Sequence, residues 1–438
     1  MKSNDVQVAP EPARNALTTV KKWPNLRWWI TALLFFSTVI NYMDRQNLSI
    51  LARTIQDDLH ITDIQYGYVV QCFLLAYTVS YLFAGRLTDK LGTRASMACF
   101  IVWWSLSDML TSFSRSVVSL GFFRFLLGMG EPGNYTSAPK AVSEWFPPRE
   151  RGLVIGIYTA GATLGATIAP PVIAYLSAHF HWRSVFLFTG SLGLLWVIPW
   201  LWLYRKPEEH PRLSDEERRL ITGDAGSVEF DAMPAEGLWR HILRRKETWL
   251  LMVSRMITDP VWYFYLFWFP KYLTDARHLT LAEVGRIAWL VYLAADIGCI
   301  AGGYLSGLLI KRGMAPARSR IWVMAGAAFL LPLSPLINSA SSPLMAVGIA
   351  AIAAFAHLAW QISIGALIVD IYPKPVVGTV FGLVAAGSGL GGMLSTNLVG
   401  RAVTYWSYSP VFIVMGVLHP LAFLLVRGIR ARQAARLA

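Results

Sequence analysis

The sequence predicts an all-α integral membrane fold: twelve transmembrane helices in two pseudo-symmetric halves of six. Three observations predict it. Of the 438 residues, 55% are hydrophobic and only 15% charged, against about 25% charged in ordinary soluble domains. The charges cluster between apolar windows close to the ~20 residues a helix needs to cross a bilayer. The two halves of the chain also align with each other.

In chain order, residues 1–27 are polar and lack the apolar core of a cleaved signal. Lys21-Lys22-Trp23-Pro24 reads instead as a lead-in with an interfacial anchor. An N-terminal bundle over 28–204 holds apolar windows at 28–46, 65–84, 95–113, 118–139, 152–177 and 184–204. The polar stretch 205–247 includes Asp215-Glu216-Glu217-Arg218-Arg219 and Arg244-Arg245-Lys246, and reads as a solvated linker with some surface helix. A C-terminal bundle over 248–427 holds windows at 248–270, 284–310, 321–338, 344–369, 377–400 and 410–427, and a basic tail follows over 428–438. These windows are too long and too continuously apolar for the alternating strands of a membrane barrel.

A net charge of +13 is explained by topology rather than by nucleic acid. With both ends of the chain on one side, Arg53, Arg115, Arg183, Lys271, Arg277 and Arg401 fall on the other side. Arg45, Arg124, Arg255 and Arg286 fall within helices, and all remaining Lys and Arg lie with the termini. That is the positive-inside bias, and it predicts cytoplasmic termini.

The halves share spaced marks. Gly152, Gly156, Gly161, Gly165 and Gly190 map to Gly378, Gly382, Gly387, Gly391 and Gly416 at a shift of 226 residues. Earlier in each half the shift is 218, with Thr62, Gly67, Ala76 and Gly85 mapping to Thr280, Gly285, Ala294 and Gly303. Duplication around a central cavity follows.

Several motifs are excluded as chemistry. Cys72, Cys99 and Cys299 lie in apolar windows and give neither a disulfide framework nor metal spacing. Gly387-Ser388-Gly389-Leu390-Gly391-Gly392 formally fits a dinucleotide fingerprint. That fingerprint needs a strand before it, whereas here it sits in an apolar helix, where small residues serve close packing. No catalytic constellation is present, so the chain is not read as an enzyme and no cofactor is expected.

Intramembrane ionisable residues carry the sharpest signal, since a charge at the bilayer centre costs at least ~2.5–3.5 kcal/mol and needs a partner or a cavity. The first half holds Asp44, Arg45, Arg124 and Glu131. Arg124 and Glu131 are two turns, about 10.5 Å, apart on one helix and face the same way. Two acids and two arginines make a neutral set, which serves either as a packing network or as proton-coupling apparatus. An anion that draws an arginine away would favour protonation of its former partner. At the matching places the second half offers Tyr263, Tyr265, His357, Trp360, Gln361 and Ser363, aromatic and neutral polar groups suited to a sugar. Glu131 maps to His357, Asn134 to Trp360 and Arg45 to Tyr263. Arg255 and Asp259, four apart, are expected to pair along one helix face, and with Asp296 are read as structural.

Gly85-Arg86-Leu87-Thr88-Asp89-Lys90-Leu91-Gly92-Thr93-Arg94 resembles the loop motif of the major facilitator superfamily. In it Gly85 permits close helix approach and Asp89 sits at a helix end against bases, with Lys90, Gly92 and Arg94 completing a gating latch. The second-half copy has Gly307 at the acidic position, so its latch is expected to be weaker.

Asn41-Tyr42-Met43-Asp44-Arg45-Gln46-Asn47-Leu48-Ser49, Phe123 to Glu131, Lys140 to Pro147 and Thr258 to Tyr263 resemble the anion:cation symporter family of that superfamily, hexuronate transporters above all. The resemblance spans residues 27–427 and departs at Leu358, Ser363 and Gly365 on the tenth helix. It implies the major facilitator fold, a location in the cell inner (plasma) membrane and substrate near the midplane between the halves. It also implies proton-driven import of a sugar acid, with Asp44 and Glu131 handling protons and Arg124 as their charge partner. Arg45 would meet the substrate carboxylate, with Tyr42 and Tyr77 beside it. The expected partners are a small organic anion, protons and the lipid bilayer, with a monomeric protein. Other organic anions, aldonates or aromatic carboxylates, suit the same machinery. A transporter-like nutrient sensor should carry a signalling domain, for which 205–247 and the residues after Arg427 are short.

Overall fold

The computed structural model describes residues 22–223, 240 and 242–429. The expected N-terminal segment and basic tail, and the middle of the central stretch, fall largely outside the described residues. The spanning segments are α1 (Leu26–Ile50), α2 (Asp63–Leu91), α3 (Thr93–Thr111), α4 (Val117–Gly130 running into Pro132–Trp145), α5 (Pro148–His179) and α6 (Trp182–Leu203). In the second half they are α7 (Lys246–Phe267), α8 (Leu281–Ile287 running into Trp289–Lys311), α9 (Pro316–Leu330), α10 (Pro343–Ile371), α11 (Val377–Tyr405) and α12 (Ser409–Val426). In hydrocarbon a helix satisfies its backbone internally, which is why these windows take no other form. Among the described residues, eight segments are long and apolar enough to cross a membrane on length and composition alone. The remaining four, α1, α3, α4 and α7, are those whose buried faces carry Asp44, Asp108, Arg124, Arg255 and Asp259.

The duplicated marks have physical jobs. Thr62 and Thr280 each cap a helix start, their hydroxyls accepting the Gln65 amide at 3.3 Å and the Glu283 amide at 3.4 Å. A Cβ at Gly85 would run into the backbone of Gly378, and one at Gly303 into that of Gly152. These are the same contact made twice, α2 on α11 and α8 on α5, once in each sense across the pseudo-symmetry axis.

Both contacts lie near the end of the bundle where α1 begins and α12 ends. There the Asp89 carboxylate accepts the Lys140 ammonium at 2.8 Å and the Gly378 and Thr379 amides at 3.1 and 2.7 Å. An acid of one half thus caps the first turn of α11 in the other, where free N–H groups and the helix dipole favour a negative charge. Lys140, rather than the exposed Lys90, is its base. Gly92 turns the chain between α2 and α3 at φ +77°, and Arg94 donates to the Leu201 carbonyl. The opposite seam has no acid at Gly307, yet it is not left open. Asp370 pairs with Arg151 of the first half and Arg320 of its own, each at 3.0 Å, and Arg320 reaches the Pro148 carbonyl at 2.6 Å. The halves therefore meet along α2–α11 and α5–α8.

The central stretch is more than a solvated linker. A short helix, Asp215–Gly223, brings the 4%-exposed Glu217 beneath α1, where its carboxylate accepts the Leu26 and Arg27 amides at 3.0 Å each. Arg27 then bridges Glu217 to Glu150 of α5, at 2.9 Å on both sides.

Gly85→Val tests the seam. Its side chain meets backbone that cannot move aside, at about 1–3 kcal/mol of overpacking, so the closed arrangement at this end should lose about 5- to 150-fold in population. A cysteine at Thr379, in a background lacking Cys72, Cys99 and Cys299, should then react faster with a polar thiol reagent. Unchanged reactivity would contradict this packing account.

Candidate functional site

The intramembrane charges of the first half sort into two groups. In the first, Arg45 of α1 forks onto Glu131, its Nε donating to Oε2 at 2.9 Å and its Nη2 donating to the same oxygen. Glu131 lies at the junction of the two pieces of α4, where Pro132 has no amide to give to the preceding turn. It nevertheless keeps helical angles, φ −58° and ψ −36°, so it stays in register with Arg124 as the spacing predicts. The Arg45 guanidinium sits 4.8, 4.7 and 5.4 Å from the ring centroids of Tyr42, Tyr77 and Phe73. Glu131 is fully buried, while the Arg45 side chain keeps 26% exposure. One partner of the ion pair is thus reachable and the other is not.

The second group lies deeper. Arg124 places Nη2 3.9 Å from Asp108 Oδ1, with its guanidinium 5.2 Å from the Phe186 ring centroid. Asp108 Oδ2 accepts Asn47 Nδ2 at 3.0 Å and the Thr189 hydroxyl at 2.9 Å. Asp44 is within electrostatic reach of both Asp108 and Arg124, yet neither of its carboxylate oxygens has a hydrogen-bond partner. Arg124 is 2% exposed, and Asp44 and Asp108 not at all. The set is therefore not the neutral pair of pairs read from sequence, because Asp108 is a third acid. The rule that flagged the other charges, an ionisable residue inside an apolar window, applied to it equally.

The second-half candidates divide. Tyr263 and Gln361 stay partly exposed, and Tyr263 packs on Gly392 within electrostatic reach of Tyr77 and Tyr42. Tyr81 and Tyr135, which the sequence reading passed over, join the same aromatic group, with the Tyr81 and Tyr77 hydroxyls 2.9 Å apart. The structure does not bring the others to this group. His357 is fully buried, its Nδ1 3.1 Å from His419 Nε2 and its ring stacked on Trp262 at 6.2 Å and 3°. Trp360 packs edge-on to His419. Tyr265 is buried against Phe264 and Phe269, and Ser363 donates back to the Ala359 carbonyl at 2.8 Å. Arg255 pairs with Asp259, as their spacing predicts, its Nη2 at 2.6 Å. Among the described residues no three His, Cys, Asp or Glu side chains gather as metal ligands.

The repeat register needs one correction. Gly165 packs on Val39 as Gly391 packs on Met256, so the first helices of the two halves are offset by 217 residues, not 218. The mate of Arg45 is then Trp262 rather than Tyr263. Since His357 is the mate of Glu131, the Arg45–Glu131 ion pair corresponds to the Trp262–His357 stack.

Residues 34–357 match the family model described as Major Facilitator Superfamily. The chain belongs to that superfamily. It is a multi-pass membrane transporter, not an enzyme. It is 31% identical over 409 residues to the hexuronate transporter of Escherichia coli K12, covering 93% of this chain and 94% of that one. It is 33% identical over 291 residues to the galacturonate transporter of Dickeya chrysanthemi, covering 66% and 84%. Among solved structures, a proton:xylose symporter of the superfamily superposes with TM-score 0.67 at 15% identity over 93% of this chain and 96% of that one. The human organic anion transporter MFSD10 superposes with TM-score 0.69 at 15% identity over 92% and 100%.

Removing one partner of a buried ion pair strands the other, at about 3–5 kcal/mol. Arg124→Met should therefore lower the melting temperature of the purified transporter markedly, and adding Asp108→Asn should restore part of the loss. A single variant that melts like wild type would show that Asp108 does not depend on Arg124.

Proposed function

We propose that this transporter imports a sugar acid, a hexuronate above all, together with protons, by alternating access across the cell inner membrane. The observation that carries the reading is the Arg45–Glu131 pair, a guanidinium reachable among tyrosines whose carboxylate partner is fully buried.

A planar guanidinium grips a carboxylate at two points, and tyrosine rings with hydroxyls suit the faces and edges of a sugar. A hexuronate offers both. When its carboxylate takes Arg45, Glu131 is left in a low-dielectric site without its counter-charge. Desolvation then favours the neutral acid, and Glu131 takes a proton. Substrate and proton thus replace each other at one arginine, and the loaded centre carries no more charge than the empty one. The positive-inside distribution supports placing the Asp89 and Asp370 seams at the cytoplasmic end. With those seams closed, substrate would enter from the other side. The transporter is read as a monomer, with the proton gradient as its energy source and no cofactor.

The names of the relatives support sugar acids as a class. A second reading, an aldonate substrate, draws support from a D-galactonate transporter of Escherichia coli O6:H1 that is 26% identical over 421 residues.

Counterflow of labelled galacturonate in proteoliposomes, with glucuronate, galactonate and aromatic carboxylates as competitors, tests the substrate. Galacturonate and glucuronate should compete best, and counterflow of none of them would reject the reading. Glu131→Gln should exchange substrate across the membrane yet fail to accumulate it under an imposed pH gradient, a loss of tenfold or more. Wild-type accumulation in that variant would remove Glu131 from coupling.

A further inference from the structure

Around Arg45 and Arg124 the first half gathers three buried acids, Asp44, Asp108 and Glu131, while its other buried acid on a spanning helix, Glu144, lies towards the Asp89 end and is held by Thr93 and Tyr204. Glu131 engages Arg45. The remaining two acids face Arg124, which Glu131 also reaches. Asp108 accepts two neutral donors on one oxygen and faces Arg124 with the other. Neither oxygen of Asp44 has a donor in hydrogen-bonding geometry, the Thr189 hydroxyl within its reach being given to Asp108. The groups facing this pair are Arg124 from α4, Asn47 on α1 and Thr189 from α6. Tyr66 of α2 lies near Arg124 and gives its hydroxyl to the Leu48 carbonyl at 3.3 Å. Glu131 stands two turns further along α4. None of these supplies a second positive charge. An ionised carboxylate buried without a partner is costly enough that such groups are neutral instead.

We propose that Asp44 and Asp108 hold a single proton between them beside Arg124, which makes Asp108 a third coupling carboxyl. Two close acids that share a site titrate as a pair rather than singly. The proton comes from water on the side to which the cavity is open, resides on a carboxylate oxygen of the pair, and returns to water when the cavity opens to the other side. The transporter then meets its substrate already carrying one proton, and the proton taken by Glu131 is a second. Asp108 touches no substrate. Its part is to keep the pair one charge in excess of Arg124, so that the shared proton has a reason to bind.

The inference rests on reading the site as proton-coupled, so its test uses no substrate. Infrared spectra of purified protein in lipid nanodiscs at neutral pH should contain a carbonyl band from a protonated carboxyl. Asp44→Asn and Asp108→Asn should each abolish it, because the single acid that remains can stay ionised opposite Arg124. Glu131→Gln should leave it in place, and Asp108→Glu should retain a band at a shifted position. Melting curves identify variants that do not fold, and if Asp108→Asn is one of them, the Asp108→Glu shift decides. A wild type without the band, or either folded Asp108 variant with the wild-type band unchanged, would overturn the proposal. A band that behaves as expected in a protein that exchanges no sugar acid would instead retire the functional reading and leave this one standing.

Discussion

A charge inside a bilayer must be paired, neutralised or held at a watery cavity, and the first half of this transporter is organised around that demand. Arg45 has Glu131, Arg124 has Asp108, and Asp44 has no hydrogen-bonding partner. The four spanning segments α1, α3, α4 and α7, less apolar than the other eight, hold these residues and the Arg255–Asp259 pair. Their polar faces turn inward, and Arg45, Glu131, Arg255 and Asp259 offset the cost of burial with ion pairs inside the bundles. Because Arg45 and Arg124 both face carboxylates, an anion entering this half has to displace one of them. Of the two, Arg45 is the one exposed enough for that exchange.

The two halves share a backbone plan and differ in electrostatics. Small residues repeat the same close contacts on both sides of the pseudo-symmetry axis, from Gly85 on Gly378 and Gly303 on Gly152 to Gly165 on Val39 and Gly391 on Met256. Where one half sets Arg45 on Glu131, the other stacks Trp262 on His357. That stack holds no ion pair for an entering anion to displace. The Arg45–Glu131 ion pair belongs to one bundle, while the other contributes Tyr263 to the aromatic group. The latch has the same division of labour. One seam uses Asp89 on the first turn of α11, and the other uses Asp370 between Arg151 and Arg320.

Much of this was legible in the chain itself. Apolar windows located the helices because a spanning segment has no other way to satisfy its backbone, and Thr62 and Thr280 marked equivalent helix starts because the same cap recurs. Arg45 and Glu131 stood out as charges inside apolar runs. What stayed hidden depends on rotation and on neighbours distant in sequence. His357 and Trp360 occupy positions equivalent to Glu131 and Asn134, yet α12 supplies His419 to cover them, and nothing in α10 announces that. The offset of 217 rather than 218 in the first helices follows from one residue of loop length, which spaced glycines elsewhere could not reveal. Glu217 lies in a run of charges that reads as solvated until its carboxylate is seen capping α1. Asp108 was visible by the same rule as the others and differs only in lying in the last turn of its helix.

The central claim is that substrate and proton exchange places at Arg45 and Glu131, and proton uptake on binding tests it most directly. Purified transporter in weakly buffered solution, with a pH-indicator dye present, is mixed with galacturonate near neutral pH. The account predicts that binding draws a proton from solution in the wild type, and that Glu131→Gln binds galacturonate without drawing one. Binding with no proton uptake by the wild type, or with equal uptake in both proteins, would contradict it.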